Sequence, residues 1–159
     1  MIRNATEKDA SRIAEILIFS KRVAYRSIFQ NDKVSFGEMQ VLPLAMEYIK
    51  NPELLEHIFV YDDEFVKGMI NIQLHDGNSA EIKELYIDPF FQNQKIGSQL
   101  LEFLEVQMQN LGISNIFLWV LEKNDTARKF YEKHHFRATT EKALEKGTEE
   151  YIIQYRNSL

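Results

Sequence analysis

Hydrophobic and polar positions change their period several times along the chain, and each change marks an element. Ile2-Arg3-Asn4-Ala5 reads as a short strand. Thr6, with Asp9 three residues on, has the spacing of a helix-opening capping box. Ala10, Ile13, Ala14 and Leu17 then recur at the three-and-four spacing of one helical face. Helical spacing continues over residues 20–51, with breaks expected near Gln30-Asn31-Asp32 and at Pro43, which predicts two further helical pieces. After Pro52 the pattern becomes that of strands: residues 57–61 and 65–74, joined by the polar turn Asp62-Asp63-Glu64. Asp76-Gly77-Asn78 is a hairpin turn signal, residues 80–87 form the next strand, and Pro89 ends it.

The most regular stripe follows. Ile96, Leu100, Leu101, Leu104, Met108 and Leu111 share one helical face, and Gly112 stops the helix. Residues 116–121 are almost wholly apolar, the pattern of a strand covered on both faces. Asn124-Asp125-Thr126 caps a short helix that runs to about Lys133. Residues 136–140 and 149–155 close the chain as two strands around Lys146-Gly147. This succession predicts a mixed α/β fold, and 159 residues suit one domain.

Composition narrows the chemistry. The chain has no cysteine, so disulfides, thiolate metal sites and a cysteine nucleophile are all excluded. A formal net charge of −5 argues against broad nucleic-acid binding and favours a cationic partner such as an amine. No apolar run approaches the ~18 residues of a membrane span, and the N-terminus lacks the apolar core of a signal peptide, so a cytoplasmic setting is expected. His57, His75, His134 and His135 lack metal-ligand spacing with acidic partners, so no metal is expected.

The stretch richest in chemistry is Gln92-Asn93-Gln94-Lys95-Ile96-Gly97-Ser98, where a strand has ended and the long helix begins. The first amides of a helix have no partners within it, and the helix dipole adds partial positive charge there, which suits a phosphate. Gly97 would let a phosphate approach the backbone. Taken alone, the segment is equally a polar turn.

Three blocks together resemble the GNAT superfamily of N-acetyltransferases. Gln92 to Gly97 is similar to its pyrophosphate loop, Gln/Arg-x-x-Gly-x-Gly/Ala. Asn124-Asp125-Thr126-Ala127-Arg128-Lys129-Phe130-Tyr131 resembles its Asn-x-x-Ala-x-x-Phe-Tyr block, and Ile2 to Asp9 fits its first strand and helix. The resemblance implies a mixed, mostly antiparallel central sheet flanked by helices, acetyl-CoA as co-substrate, and a small-molecule or peptide amine as acceptor. In such a reaction an amine attacks the thioester, an oxyanion forms, and a thiolate leaves. A homodimer is one arrangement the resemblance suggests. A non-catalytic acyl-CoA sensor of the same fold is the alternative. The sequence departs from the family at Lys95, in place of a glycine, and at His134-His135-Phe136, where the family has x-Gly-Phe.

The resemblance also implies roles. Tyr131 would protonate the leaving sulfur; the competing reading is a core aromatic, since Ala127, Phe130 and Tyr131 share one helix face. Glu81, eleven residues ahead of Gln92, matches the catalytic glutamate of histone-acetylating members, and Glu84 is the second choice of base. Their odd separation would put the two side chains on opposite faces of a regular strand. Either is also readable as a solvated strand glutamate. The backbone of Leu85, Tyr86 and Ile87 would pair with the pantetheine arm and supply an oxyanion donor, Asn124 would contact the cofactor, and amides from Gln92 to Ser98 would take the pyrophosphate. Tyr25, Arg26 and Phe29 would line the acceptor pocket.

Overall fold

The computed structural model describes residues 1–76 and 78–159, so Gly77, at the centre of the expected Asp76–Asn78 turn, lies outside the described residues. Strands β1 (Ile2–Asn4), β2 (Ile58–Asp63), β3 (Phe65–His75), β4 (Ser79–Ile87), β5 (Asn115–Leu121), β6 (Arg137–Leu144) and β7 (Tyr151–Ser158) alternate with helices α1 (Ala10–Phe29), α2 (Val41–Lys50), α3 (Ile96–Asn110) and α4 (Asp125–Lys133). Among the described residues the strands form one sheet in the order β1-β2-β3-β4-β5-β7-β6. The β4–β5 pairing is parallel, and the other pairs are antiparallel. This is the mixed, mostly antiparallel sheet flanked by helices that was expected.

Each sheet face carries its own core. On one, the α3 stripe (Ile96, Leu100, Leu101, Leu104, Met108) packs on Ile70, Ile72, Ile82, Ile116 and Leu118, joined by Tyr131 and Phe136. On the other, Ile13 and Ile16 of α1 and Tyr48 of α2 pack on Ile58, Val60 and Met69. Each fully buried aliphatic contributes about 1.5–3 kcal/mol, so these two seams fix the layers.

The helical region differs from expectation in two places. α1 runs unbroken from Ala10 to Phe29, and its end at Gln30 comes where the sequence placed a break, with Gln30 left-handed. A π-helical turn, Lys33–Glu38, follows. Pro43 does not break a helix; it sits in the first turn of α2, where the amide it lacks would have no helical partner. The capping box is present, with the Thr6 amide donating to Asp9 Oδ2 at 2.8 Å, and it opens a 3-10 turn (Glu7–Asp9) ahead of α1. Arg3 forks onto the same carboxylate at 2.8 and 2.9 Å and reaches Asp62 on β2, tying the N-terminal strand to the sheet.

β5 is not covered equally on both faces. Ile116, Leu118 and Val120 are buried against α3, whereas Phe117 and Trp119 are only partly buried. On that second face α1 and α2 pack on residues of β2 and β3, and α1 also on β4.

Candidate active site

The parallel join between β4 and β5 is short: residues 79–82 pair with 115–118. β4 then continues to Ile87 and β5 to Leu121, and among the described residues no ladder joins them there. The strands part into a cleft of about 650 Å³. Tyr86 and Ile87 line one wall, Trp119 the other, Gly97 the floor near α3, and Asn124 and Tyr131 the α4 side. Unpaired strand edges bordering a cleft are open to an extended, amide-bearing ligand.

The turn leading to α3 is pinned from below. Asp88 is buried and accepts the Phe90 amide at 2.8 Å, while Arg12 of α1 donates both to Asp88 and to the Val66 carbonyl. Asn93 and Lys95 then take left-handed conformations, with φ of 64° and 62°, which turns the chain into the first turn of α3. Gln92, Asn93, Ile96 and Gly97 line the cleft; Gln94, Lys95 and Ser98 do not. The close approach Gly97 permits is to a ring: a Cβ there would stand 3.2 Å from Phe130 Cζ. Ser98 Oγ shares a 2.9 Å hydrogen bond with His134 Nε2, fastening α3 to the end of α4.

The two glutamates of β4 end up on one sheet face. A β-bulge at Lys83 inserts one extra residue, so Glu84 opposes Asn71 and Glu81 opposes Gln73, two residues apart on β3. The expected separation to opposite faces therefore fails, because the bulge restores the parity an odd spacing breaks. Only Glu84 reaches the cleft. Glu81 is buried nearer the β3–β4 turn, held by His75 Nε2 at 3.0 Å and Lys83 Nζ at 3.2 Å. Glu84 accepts from Asn71 Nδ2 at 3.2 Å and lies 3.4 Å from Lys21 Nζ.

Tyr25 lines the cleft, and its hydroxyl is 2.9 Å from that of Tyr86. Phe29 does not line it; its ring stacks edge-on against Tyr25, with centroids 5.6 Å apart. Arg26 is turned to the surface, paired with Asp32. Burial pushes the Tyr86 phenol well above its ordinary range, and Tyr25 also rises, mainly through burial, with the Tyr86 hydrogen bond opposing. Tyr131 combines both sequence readings. Its ring packs against Phe130 and Phe136 in the core, and the residue also borders the cleft. Burial, then the nearby Tyr25, raises its pKa, so the phenol keeps its proton through neutral pH. Asn124 caps α4, its Oδ1 accepting the Ala127 amide at 3.2 Å, which leaves its amide nitrogen as the side chain's donor at the cleft.

Residues 23–136 match the family model described as Acetyltransferase (GNAT) family. The chain belongs to the GNAT acetyltransferase family. It is 26% identical over 141 residues to the spermidine N(1)-acetyltransferase of Thermoplasma acidophilum, covering 86% of this chain and 87% of that one. Among solved structures it is similar to the PaiA N-acetyltransferase of Thermoplasma acidophilum in complex with coenzyme A (TM-score 0.74, 23% identity, 97% of this chain and 96% of that one). It is also similar to the ribosomal-protein-alanine N-acetyltransferase of Brucella melitensis (TM-score 0.75, 16% identity, 100% and 99%).

Both departures of this acetyltransferase from its family's pattern fall on left-handed residues. Lys95 (φ 62°) and His135 (φ 68°) occupy positions where glycine would carry no steric cost. Neighbours that sequence reading missed are Ser20, whose hydroxyl donates to the Ile87 carbonyl at 3.0 Å, Trp119 on the far wall, and the pair Lys21 and Asn71 on Glu84. Trp119 lies in an unbroken apolar run that gives no sign of which face is open, and the other three required long-range packing.

Proposed function

We propose that this acetyltransferase moves the acetyl group of acetyl-CoA directly to the primary amine of a small molecule or peptide. The observation that carries this reading is the parted β4–β5 edge, with the head of α3 at one end and a proton-bearing tyrosine at its side. The main-chain groups of Leu85, Tyr86 and Ile87 suit a pantetheine arm, and amides from Gln92 to Ser98 suit a pyrophosphate. When bound, the thioester supplies the activated acetyl group. Glu84 receives the incoming ammonium and takes its proton, a strand amide holds the developing oxyanion, and Tyr131 protonates the departing sulfur. The buried phenol holds its proton at neutral pH, gives it to the sulfur as the C–S bond breaks, and is reprotonated by the second proton that the acylated nitrogen sheds. Glu84 is preferred to Glu81 because it borders the cleft and Glu81 is held by His75 and Lys83. An acceptor of the polyamine type is consistent with the named Thermoplasma relative and with the acidic chain.

The test pairs an acetyl-CoA thermal shift with thiol release on a panel of amines, for the wild type, Glu84→Gln and Glu81→Gln. Glu84→Gln is expected to lose about 10²-fold or more in turnover while the cofactor shift persists, and Glu81→Gln to stay within a few-fold. Binding of acetyl-CoA without thiol release on any amine would replace the enzyme reading with that of a sensor.

A further inference from the structure

Beside the cleft, where Glu84 borders it, the chain places a cation of its own that is not among the lining residues. Lys21 Nζ lies 3.4 Å from Glu84 Oε1 and 5.8 Å from the centre of the Tyr86 ring. Carboxylate and ring face together make a seat for an alkylammonium. The second carboxylate oxygen is held by Asn71, which fixes the orientation of Glu84 whether or not Lys21 is in place. The Lys21 contact is loose, since charge-assisted N–H···O bonds close to ~2.7–2.9 Å. Elsewhere in the molecule such pairs do close: Lys67 lies 2.6 Å from Asp63, and Lys123 lies 2.8 Å from Glu150. Both Lys21 and Glu84 keep some solvent access, with side-chain exposures of 28% and 18%. The seat is thus open enough for exchange. Its negative charge is also felt by the phenols of Tyr25, Tyr48 and Tyr86, from three different elements.

We infer that Lys21 is a displaceable occupant of the acceptor subsite, and that the ligand replacing it is an unbranched primary alkylammonium like the lysine side chain itself. This rests on the reading of Glu84 as the carboxylate that receives the amine. An extended –CH₂–NH₃⁺ end, as in a diamine, polyamine or lysine side chain, matches what the seat already holds. An α-amine beside a carbonyl, as at a peptide N-terminus, lacks the flexible stem. Lys21 then acts as a competitor built into the chain, setting how much acceptor is needed for half-saturation.

The experiment is calorimetric titration of 1,4-diaminobutane and of glycinamide onto the CoA-saturated wild type, Lys21→Met and Lys21→Gln, with thiol release measured in parallel. Removing the competing ammonium is expected to tighten diaminobutane binding and lower its KM about twofold to fivefold, as expected for loss of one partly exposed ion pair. Glycinamide, whose ammonium has no flexible stem to reach the seat, does not compete with Lys21 there and should change by less than about twofold. Diaminobutane affinity that is unchanged or weaker in both folded variants overturns the inference, as does an equal gain for glycinamide. Because binding is read without turnover, the two proposals fail separately. Tighter binding with no thiol release anywhere sinks the transferase reading alone. Thiol release with no gain in affinity sinks the role of Lys21 alone.

Discussion

Lys95→Gly should make the protein more stable. Lys95 sits at φ 62° and ψ 11°, where a side chain's Cβ crowds the following carbonyl at a cost of about 1–2 kcal/mol. Glycine removes that cost but gives the unfolded chain more freedom, which takes back roughly 0.4–1 kcal/mol. The Lys95 side chain is exposed and forms no hydrogen bond among the described residues, so little packing is lost. The net expectation is a gain of about 0.5–1 kcal/mol, which for a chain of this size raises Tm by roughly 1–4 °C. Urea titration at fixed pH, with Lys95→Ala as control, measures it. The alanine variant keeps the left-handed Cβ and should not be stabilised. If glycine and alanine move the midpoint alike, or glycine lowers it, the conformational argument is wrong and Lys95 is held by something other than its backbone geometry.

Tyr131→Phe keeps the ring among Phe130 and Phe136 and removes only the hydroxyl; turnover should fall about 10²-fold or more, measured by thiol release, with cofactor affinity changed far less. Gly97→Ala would push a methyl to 3.2 Å from Phe130, so we expect a loss of about 1–2 kcal/mol by urea titration, together with weaker CoA binding as the ring shifts beside Tyr131. The Arg3 fork holds the Asp9 carboxyl down at about 2, against 3.8 when unfolded. A depressed folded pKa stabilises above the unfolded value and loses that contribution as pH falls from about 4 toward 2. With screening of the partly exposed Arg3, this is on the order of 1–2 kcal/mol, and Arg3→Met should flatten the stability–pH slope in that window.

Much of the architecture could be read along the chain because its signals were local. The α3 stripe, the Asn124 cap and the Thr6–Asp9 box each depend on neighbours three or four residues apart, and each appears in the structure, except that the stripe ends at Met108 and Leu111 lies exposed past the helix. Pro43 misled because proline's effect depends on its place within a helix, which a list of residues does not give. The candidate site was legible on the cofactor side, where contiguous motifs carry it. The acceptor side was not. Glu81 and Glu84 share a face only because Lys83 bulges out of the ladder, and Lys21 and Asn71 meet Glu84 through long-range register. Trp119 was hidden differently: an unbroken apolar run conceals which face a strand leaves open.

The short parallel join between β4 and β5 has a mechanical consequence. Four rungs, at residues 79–82 against 115–118, stitch one half of the sheet to the other. Among the strand amides we expect those of residues 83–87 and 119–121 that face the gap to exchange with solvent ahead of the laddered ones on either side. An extended molecule laid along the gap would add the missing rungs, so a single small visitor could knit two half-sheets into one stiffer body.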